Sequence, residues 1–189
     1  MSGSFDAVAL VGSLRGASLT RRMTQALITL AQPTLHIEIV AIGDLPLYDQ
    51  DLEQIVPQSW QRFRERVRRC DAVLFATPEY NRSIPGALKN AIDVGSRPPS
   101  ASVWSGKPAA VASMSPGALG GFGANHHLRQ ALVAVGMPAL PQPELYLSHV
   151  DRMLTPTGEF ADAALREYCA GFLRAFDAWI TRNHPVPGQ

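Results

Sequence analysis

The segment AVALVGSLRGASL, residues 7–19, decides the fold class that this sequence predicts. Its first five residues, Ala7 to Val11, form an unbroken apolar run, which is typical of a strand buried on both faces of a parallel sheet. A loop with two glycines follows, and Ser18 at its end is a preferred residue for capping a helix N-terminus. A buried strand that leads through a glycine loop into a helix is the repeating unit of an α/β fold.

Strand-like and helix-like segments alternate in the same way along the rest of the chain. Further buried strands are predicted at residues 37–42, 71–76, 108–114 and 145–147. Helices are expected around residues 19–30, 60–67, 84–94, 128–135 and 165–179, with Ser18 and Ser59 as N-caps of the first two. This order predicts an α/β fold, a doubly wound five-stranded parallel sheet with helices on both faces. Ligands in such sheets bind outside the carboxyl ends of the strands, so the loops there are the candidate site.

Composition and charge narrow the function classes. The chain has 189 residues, 46% of them hydrophobic and 17% charged, which suits a single domain over residues 1–189 with its own core. A formal net charge of +1 gives no general attraction for nucleic acid or an anionic membrane, so neither is expected as a partner. No apolar run is long enough to span a bilayer, and residues 1–5 lack the features of a secretory signal. We therefore expect a cytoplasmic protein.

Several conspicuous residues are expected to have structural roles. Cys70 and Cys169 have no CxxC partner and are predicted to be buried, reduced thiols. His126 and His127 are adjacent, so on a helix they point about 100° apart and chelate one metal ion poorly, and no metal site is predicted. The arginines at 62, 64, 66, 68 and 69 are interleaved with other residue types, which indicates a solvated helix face rather than a nucleic-acid patch.

The first candidate loop, GSLRGAS, joins the first strand to the first helix. Free backbone N–H groups and the positive end of the helix dipole make such a position suitable for a phosphate. Gly12 and Gly16 allow the backbone to approach a ligand. Ser13 and Ser18 add hydroxyl donors, and Arg15 adds a positively charged guanidinium that can donate two parallel hydrogen bonds. The alternative is an ordinary turn with a capping serine. The Walker and GxGxxG patterns are both absent.

The second candidate loop, TPEYNRSIPG at residues 77–86, leaves the third predicted strand. Pro78 fixes one backbone dihedral angle, and Pro85 suits the start of a helix because no N–H is needed there. The residues between the prolines suit a flat ring with a polar edge, with Tyr80 covering one side and peptide N–H groups meeting the edge. The alternative is a rigid turn with an exposed tyrosine, and the residues alone leave both readings open.

The third candidate loop, SMSPGALGGFG at residues 113–123, has four glycines between a strand and a helix. Glycine permits close approach of the backbone to a ligand, although plain flexibility is the alternative explanation. All three loops follow strands at the edge of the sheet where ligands bind, and each has residues suited to a ligand. Their coincidence therefore predicts one shared site.

These loops resemble those of the NAD(P)H-dependent FMN reductase family, which includes quinone, chromate and azo-dye reductases on a flavodoxin-like fold. The resemblance covers nearly the whole chain, and its most diagnostic part is PEYNRSIPGALKNAID, residues 78–93. The segment LPLYDQDL, residues 45–52, is similar to a family segment near the subunit interface, which implies a homodimer or homotetramer. The implied activity is transfer of hydride from NADPH or NADH, through FMN, to a small-molecule acceptor such as a quinone, free flavin, azo compound or metal oxyanion.

By position, the resemblance implies ten residues that contact the cofactor. Ser13, Arg15, Ser18 and Leu19 lie at the phosphate end, Pro78, Glu79, Tyr80 and Asn81 hold the isoalloxazine ring, and Ser113 and Gly117 line its other edge. No side chain is implied as a catalytic acid or base. The flavin carries the chemistry, and Tyr80 and Glu79 shape its open face.

Three other functions compete with this one. A flavodoxin-type electron carrier, with no NAD(P)H oxidation of its own, docks through acidic surfaces, which a net charge of +1 does not favour. A response-regulator-like domain needs a phosphoacceptor aspartate at the end of the third strand, where this chain has Thr77 and Pro78. A dinucleotide-binding dehydrogenase would use Asp44 after the second strand, but its glycine fingerprint is missing.

Overall fold

The computed structural model describes residues 4–184, in which five strands alternate with five α-helices. The strands are β1 (Phe5–Val11), β2 (Leu35–Val40), β3 (Ala72–Pro78), β4 (Ala109–Ser115) and β5 (Leu145–Ser148). The helices are α1 (Leu19–Ile28), α2 (Gln58–Arg69), α3 (Gly86–Gly95), α4 (Phe122–Ala134) and α5 (Ala163–Asn183). The alternation predicted from the apolar runs is confirmed.

The strands form one parallel sheet in the order β2-β1-β3-β4-β5. This is the flavodoxin-like order, and the direction of winding reverses between β1 and β3. Pairs such as Ala9 with Leu74 join β1 to β3, and Thr77 with Ser113 joins β3 to β4. The three candidate loops therefore leave three adjacent strands at the same edge of the sheet.

Both faces of the sheet are covered by helices. Ala7, Ala9 and Val11 face the layer that contains α1 and α5, whereas Val8 and Leu10 face the layer that contains α2, α3 and α4. Each of these five residues is at most 3% exposed. Successive side chains of a strand point to opposite faces, so a strand covered on both sides must be apolar at every position. This explains the unbroken apolar run of β1.

The first two helices show one cap prediction that is right and one that is wrong. Ser18 caps α1 by accepting a hydrogen bond from the Arg21 N–H at 3.1 Å. Helix α2, in contrast, begins at Gln58, one residue before the predicted cap Ser59. Pro57 is the N-cap and makes no side-chain cap bond; its ring fixes φ at the point where the extended chain turns into the helix.

Other element boundaries also differ from the prediction. Strand β2 spans Leu35–Val40 rather than residues 37–42, because its pairing with β1 ends where Leu10 meets Val40. Helix α3 begins at Gly86, two residues late, because Pro85 before it has an extended ψ of 144°. Helix α4 begins at Phe122, six residues before the predicted range of 128–135, because Gly121 in the left-handed region is its N-cap. The last two residues of the predicted third loop therefore belong to α4. The other strands begin and end within two residues of their predicted positions.

The arginines of α2 do not all lie on a solvated face. Arg64 is 7% exposed, and its guanidinium donates to the Glu53 carboxylate at 2.5 Å and to the Val94 carbonyl at 2.9 Å. Arg66 makes two hydrogen bonds of 2.9 Å to the carboxylate of Asp6 on β1. The prediction is wrong for these two residues, because α2 packs against α3 and one face of the sheet. The other three arginines are exposed.

The cysteines are buried and unpaired within the described chain, as predicted. Burial raises the pKa of the Cys169 thiol to about 12. Burial also raises the pKa of Cys70, although the positive charges of Lys107 and Arg66 oppose this. Cys169 lies on the buried face of α5, which at 21 residues is the longest helix described. No helix within residues 4–184 is long and apolar enough to cross a membrane.

Candidate active site

The first two candidate loops touch each other at the carboxyl edge of β1 and β3. The hydroxyls of Ser13 and Tyr80 are 3.5 Å apart. A Cβ atom on Gly12 would stand 3.2 Å from side-chain atoms of both Pro78 and Pro85. A side chain at position 12 would push the loops apart, so this glycine serves the contact between the loops.

The first loop has a set of backbone donors that the protein does not use. Within the described chain, the backbone N–H groups of residues 13–17 and of Leu19 and Thr20 donate to no protein acceptor. The Arg15 side chain is exposed and forms no ion pair within residues 4–184. Free amides at a helix N-terminus beside a full positive charge form a site suited to an anion.

The second loop is a tight turn with an unusual backbone. Two hydrogen bonds between Tyr80 and Ser83, of 2.9 and 3.0 Å, close a two-residue turn whose central residues are Asn81 and Arg82. These have φ of 52° and 66°, as a type I′ turn requires. Asparagine adopts this region readily, whereas a residue such as arginine does so at a cost of about 1–3 kcal/mol. Contacts from elsewhere must therefore hold this turn, which exposes 49% of Tyr80.

The side chain of Glu79 is held by helix α4. Its carboxylate accepts a hydrogen bond from the Ala124 N–H at 3.1 Å and lies 3.5 Å from the Arg82 guanidinium. Only 12% of the Glu79 side chain is exposed, at a helix N-terminus where the dipole favours a carboxylate. A Cβ atom on Gly123 would lie 3.0 Å from both Glu79 and Arg82. The carboxylate thus fastens the second loop to α4, and its predicted role at the open face stays a prediction.

The glycines of the third loop serve packing as much as ligand access. Gly120 and Gly121 have φ of 56° and 77°. A Cβ atom on Gly120 would lie 2.9 Å from the backbone of Tyr146 in β5, and one on Gly121 would lie 3.0 Å from Ser113 in β4. The alternative of plain flexibility therefore does not describe these two positions. Gly117, the predicted ligand residue, is exposed.

Ser113 directs its side chain into the protein. Its Oγ is fully buried, accepts from Asn125 Nδ2 at 3.1 Å and lies 3.5 Å from the Leu145 carbonyl. Asn125 is also fully buried, and its Oδ1 accepts from Arg129 Nε at 2.9 Å. Asn125 is not among the residues predicted for the site. The available signal was a polar residue at helical spacing before Leu128, on the apolar face of α4.

The two adjacent histidines of α4 have different partners. His127 Nδ1 lies 2.6 Å from the Ser83 hydroxyl in the second loop, whereas His126 Nε2 lies 3.2 Å from the Tyr146 hydroxyl. This divergence agrees with the prediction that they do not point the same way. Burial, with the hydrogen bond to Glu144, raises the pKa of Tyr146 to about 12.

Large clefts occur away from the three loops. A cleft of about 500 Å³ is lined by residues that include Tyr48, Asp51, Glu53 and Arg97. Another, of about 530 Å³, lies between the carboxyl ends of α3 and α4. Neither cleft is lined by a residue of the three loops. The volume of the clefts and the position of the free hydrogen-bond donors therefore favour different sites. We assign the candidate site to the loops, because the carboxylates of the first cleft disfavour an anion and the loops have free amide donors.

The strand order and these loops define the class of protein. A flavodoxin-like sheet with a loop of free backbone amides and an exposed aromatic turn at its switch point is a framework suited to binding FMN. Residues 6–151 match the family described as NADPH-dependent FMN reductase, and the chain belongs to this family. The protein is therefore an oxidoreductase that uses FMN, with NADPH or NADH as co-substrate.

Individual proteins with similar sequences agree with this class. A quinone reductase of Pseudomonas putida is 51% identical over 187 residues, which cover 98% of this chain and 100% of the relative. A 2-hydroxy-1,4-benzoquinone reductase of a Burkholderia species is 39% identical and covers 90% of this chain and 93% of its own. The solved structure of FerB, a flavoenzyme NAD(P)H:(acceptor) oxidoreductase from Paracoccus denitrificans, superimposes with a TM-score of 0.90 at 39% identity, over 95% of this chain and 98% of that chain.

Proposed function

We propose that the three loops together hold FMN. The proposal rests on the free amides of the first loop and on Arg15 beside them, which has no ion-pair partner among residues 4–184. A flavin phosphate carries close to two negative charges at neutral pH, and this donor set matches it. At the phosphate end we place Ser13, Arg15, Ser18 and Leu19.

The ring of the flavin is assigned to the second and third loops. Pro78, Glu79, Tyr80 and Asn81 hold it, with Ser113 and Gly117 at its other edge. Glu79 contributes through its backbone, because its carboxylate is bonded within the protein. Ser113 supports the third loop from inside β4, because its side chain is bonded to Asn125 and its backbone is paired in the sheet. The backbone N–H groups beside Gly117 would stabilise negative charge at that edge, as donors do in an oxyanion site. The Gly117 N–H itself donates to the Ser115 hydroxyl at 3.0 Å.

When bound, FMN would supply the redox chemistry that moves hydride equivalents from the nicotinamide to the acceptor. The residues of the chain orient the partners and shape the open face. Tyr80, 49% exposed, is the side chain best placed to contact an incoming ring. No catalytic side-chain base is required, because water can protonate a reduced quinone.

We propose a small quinone as the acceptor class. Four apolar side chains with at least 49% of their surface exposed belong to the three loops, namely Leu14, Tyr80, Leu119 and Phe122. An exposed apolar rim suits a flat, weakly polar acceptor better than a hydrated oxyanion. The names of the Pseudomonas and Burkholderia relatives point to the same acceptor class.

The experiment for this function is a set of initial rates with purified protein, NADPH or NADH, and a series of acceptors. Quinones should give a higher kcat/KM than free FMN, an azo dye or chromate. Plots against both substrates should be parallel, because one open face forces nicotinamide and quinone to alternate. Intersecting lines would indicate a second pocket, and no NAD(P)H oxidation with any acceptor would favour an electron carrier.

We also propose that the protein assembles into a homodimer or homotetramer through the segment around residues 45–52. Tyr48 in this segment is only partly exposed, because it stacks on Trp60 with ring centroids 5.5 Å apart. Its neighbour Leu47 is 78% exposed, and Ile55 just beyond the segment is 86% exposed. A second copy of the chain would cover both.

Unpaired cysteines support a cytoplasmic location.

A further inference from the structure

His127 contacts the turn proposed to hold the flavin ring through a short hydrogen bond. Its Nδ1 lies 2.6 Å from the Ser83 hydroxyl, across 44 residues of sequence. Ser83 is the last residue of the turn, and its backbone makes both of the hydrogen bonds that close the turn with Tyr80. A shift of the Ser83 side chain would therefore move the backbone of Tyr80 through these two hydrogen bonds.

The turn needs such a support because its backbone is strained. Asn81 and Arg82 both have positive φ, and neither is glycine. Residues in such regions persist only when surrounding contacts fix them, and they concentrate at ligand sites. The turn tip is exposed, so solvent provides no such restraint.

The first turn of α4 supplies contacts on one face. Gly123 packs against the turn so closely that a Cβ atom would lie 3.0 Å from the Arg82 carbonyl oxygen. Ala124 donates its N–H to Glu79 at 3.1 Å. His127 lies one helical turn beyond Gly123 and reaches Ser83. Helix α4 therefore holds the turn at both ends, through Glu79 before it and Ser83 at its close.

We propose that His127 is a positioning residue for the flavin ring, acting through Ser83 on the Tyr80–Ser83 turn. This rests on the proposed placement of the ring at that turn. Among the described residues, His127 has no hydrogen bond to the first loop, so its removal should weaken binding of the ring and leave the phosphate contacts intact. The affinities for FMN and for riboflavin, which lacks the phosphate, should then fall by the same factor.

Flavin titrations of the full-length protein, freed of its cofactor, test this. His127→Ala should weaken FMN and riboflavin binding equally, by about three- to tenfold, the size of one neutral hydrogen bond. Ser83→Ala should have the same effect, and the double variant should be no weaker than either single one. His127→Asn, whose amide can occupy the position of Nδ1, should recover most of the affinity. His126→Ala, on the adjacent residue that faces Tyr146, is the matched control and should change nothing.

Tyr80→Ala separates failure of this proposal from failure of the site. If Tyr80→Ala weakens riboflavin binding while folded His127→Ala protein binds it normally, the positioning role is overturned and the ring site stands. If neither variant affects riboflavin binding, the ring lies elsewhere, and both the ring site and the positioning role of His127 are overturned. Losses that add in the double variant, or a fall in thermal stability with no change in flavin affinity, would also overturn the positioning role.

Discussion

The hydroxyls of Ser13 and Tyr80 lie 3.5 Å apart although 67 residues separate them in the sequence. This contact joins the first candidate loop, which follows β1, to the turn that follows β3. The two strands are neighbours, so their carboxyl ends open onto the same edge of the sheet. A ligand with an anionic group at one end and a flat ring at the other could therefore meet both loops at once.

Arg15 provides the sharpest test of the phosphate assignment. The amides and helix dipole of the first loop carry only partial charges, and each dipole interaction is worth about 0.3–1 kcal/mol. Arg15 is the single full charge in this loop, and a hydrogen bond to a charged group contributes about 1.5–3 kcal/mol. Arg15→Ala should weaken FMN binding by about one to two powers of ten in a fluorescence titration.

Riboflavin is the internal control for this variant, because it has no phosphate. Its affinity should be nearly unchanged by Arg15→Ala, whereas a general disturbance of the fold would weaken both flavins alike. Folded Arg15→Ala protein that keeps wild-type FMN affinity would show that the phosphate lies elsewhere.

Residue patterns predicted the fold well because a doubly wound sheet is specified by local signals. The apolar run of β1 and the Ser18 cap are readable directly, since burial on both faces and helix capping depend on neighbours in sequence. The resemblance pointed to the candidate residues, but not to how they are held. The bond from Ala124 to Glu79 and the contact of His127 with Ser83 join distant segments, so no spacing encodes them.

Backbone strain at the site was equally hidden from the sequence. Asn81 is a common residue at positive φ, but Arg82 gives no such signal, and only the closed turn shows that it shares this conformation. The burial of Arg64 was missed for a similar reason. Helical periodicity gives the face of a residue, but the partners on that face, Glu53 and the Val94 carbonyl, come from other elements.

Gly95 should be essential for packing at the end of α3. A Cβ atom there would lie 2.5 Å from Cε2 of Trp104, a fully buried and rigid ring. Gly95→Ala should lower the free energy of unfolding by about 1–3 kcal/mol in urea denaturation, as overpacked cores do. Gly86→Ala, in the same helix but with no atom within 4 Å of the new Cβ, should leave stability unchanged or raise it by up to about 1 kcal/mol. Equal stability of the two variants would contradict the packing around Trp104.

The cysteines should be unreactive in the native protein. The thiolate is the nucleophile, and a pKa of about 12 leaves about one Cys169 thiol in ten thousand ionised at pH 8. Mass spectrometry after iodoacetamide treatment at pH 8 should show no adduct on Cys70 or Cys169, whereas protein unfolded in urea should carry two. As pH rises towards 12, any reaction at Cys169 should accelerate about tenfold per unit. A rapid native adduct at pH 8 would mean that one thiol is accessible.

The proposed assembly can be tested through its exposed apolar residues. Light scattering of the purified protein at micromolar concentration should report a dimer or tetramer. Leu47→Lys and Ile55→Lys should shift the protein towards a smaller species, because a charge would be desolvated in the interface. Val133→Lys, at a residue 75% exposed on α4, is the matched control and should not change the mass. A wild-type monomer would count against the assembly.

Anaerobic mixing of the FMN-loaded protein with NADPH or NADH tests the central claim most directly. The visible absorption of the flavin should be lost on mixing, and adding a quinone under the same conditions should restore it, because both reactants use the face beside Tyr80. Protein saturated with FMN whose spectrum stays oxidised under excess NADPH and excess NADH would contradict the assignment of this site to hydride transfer.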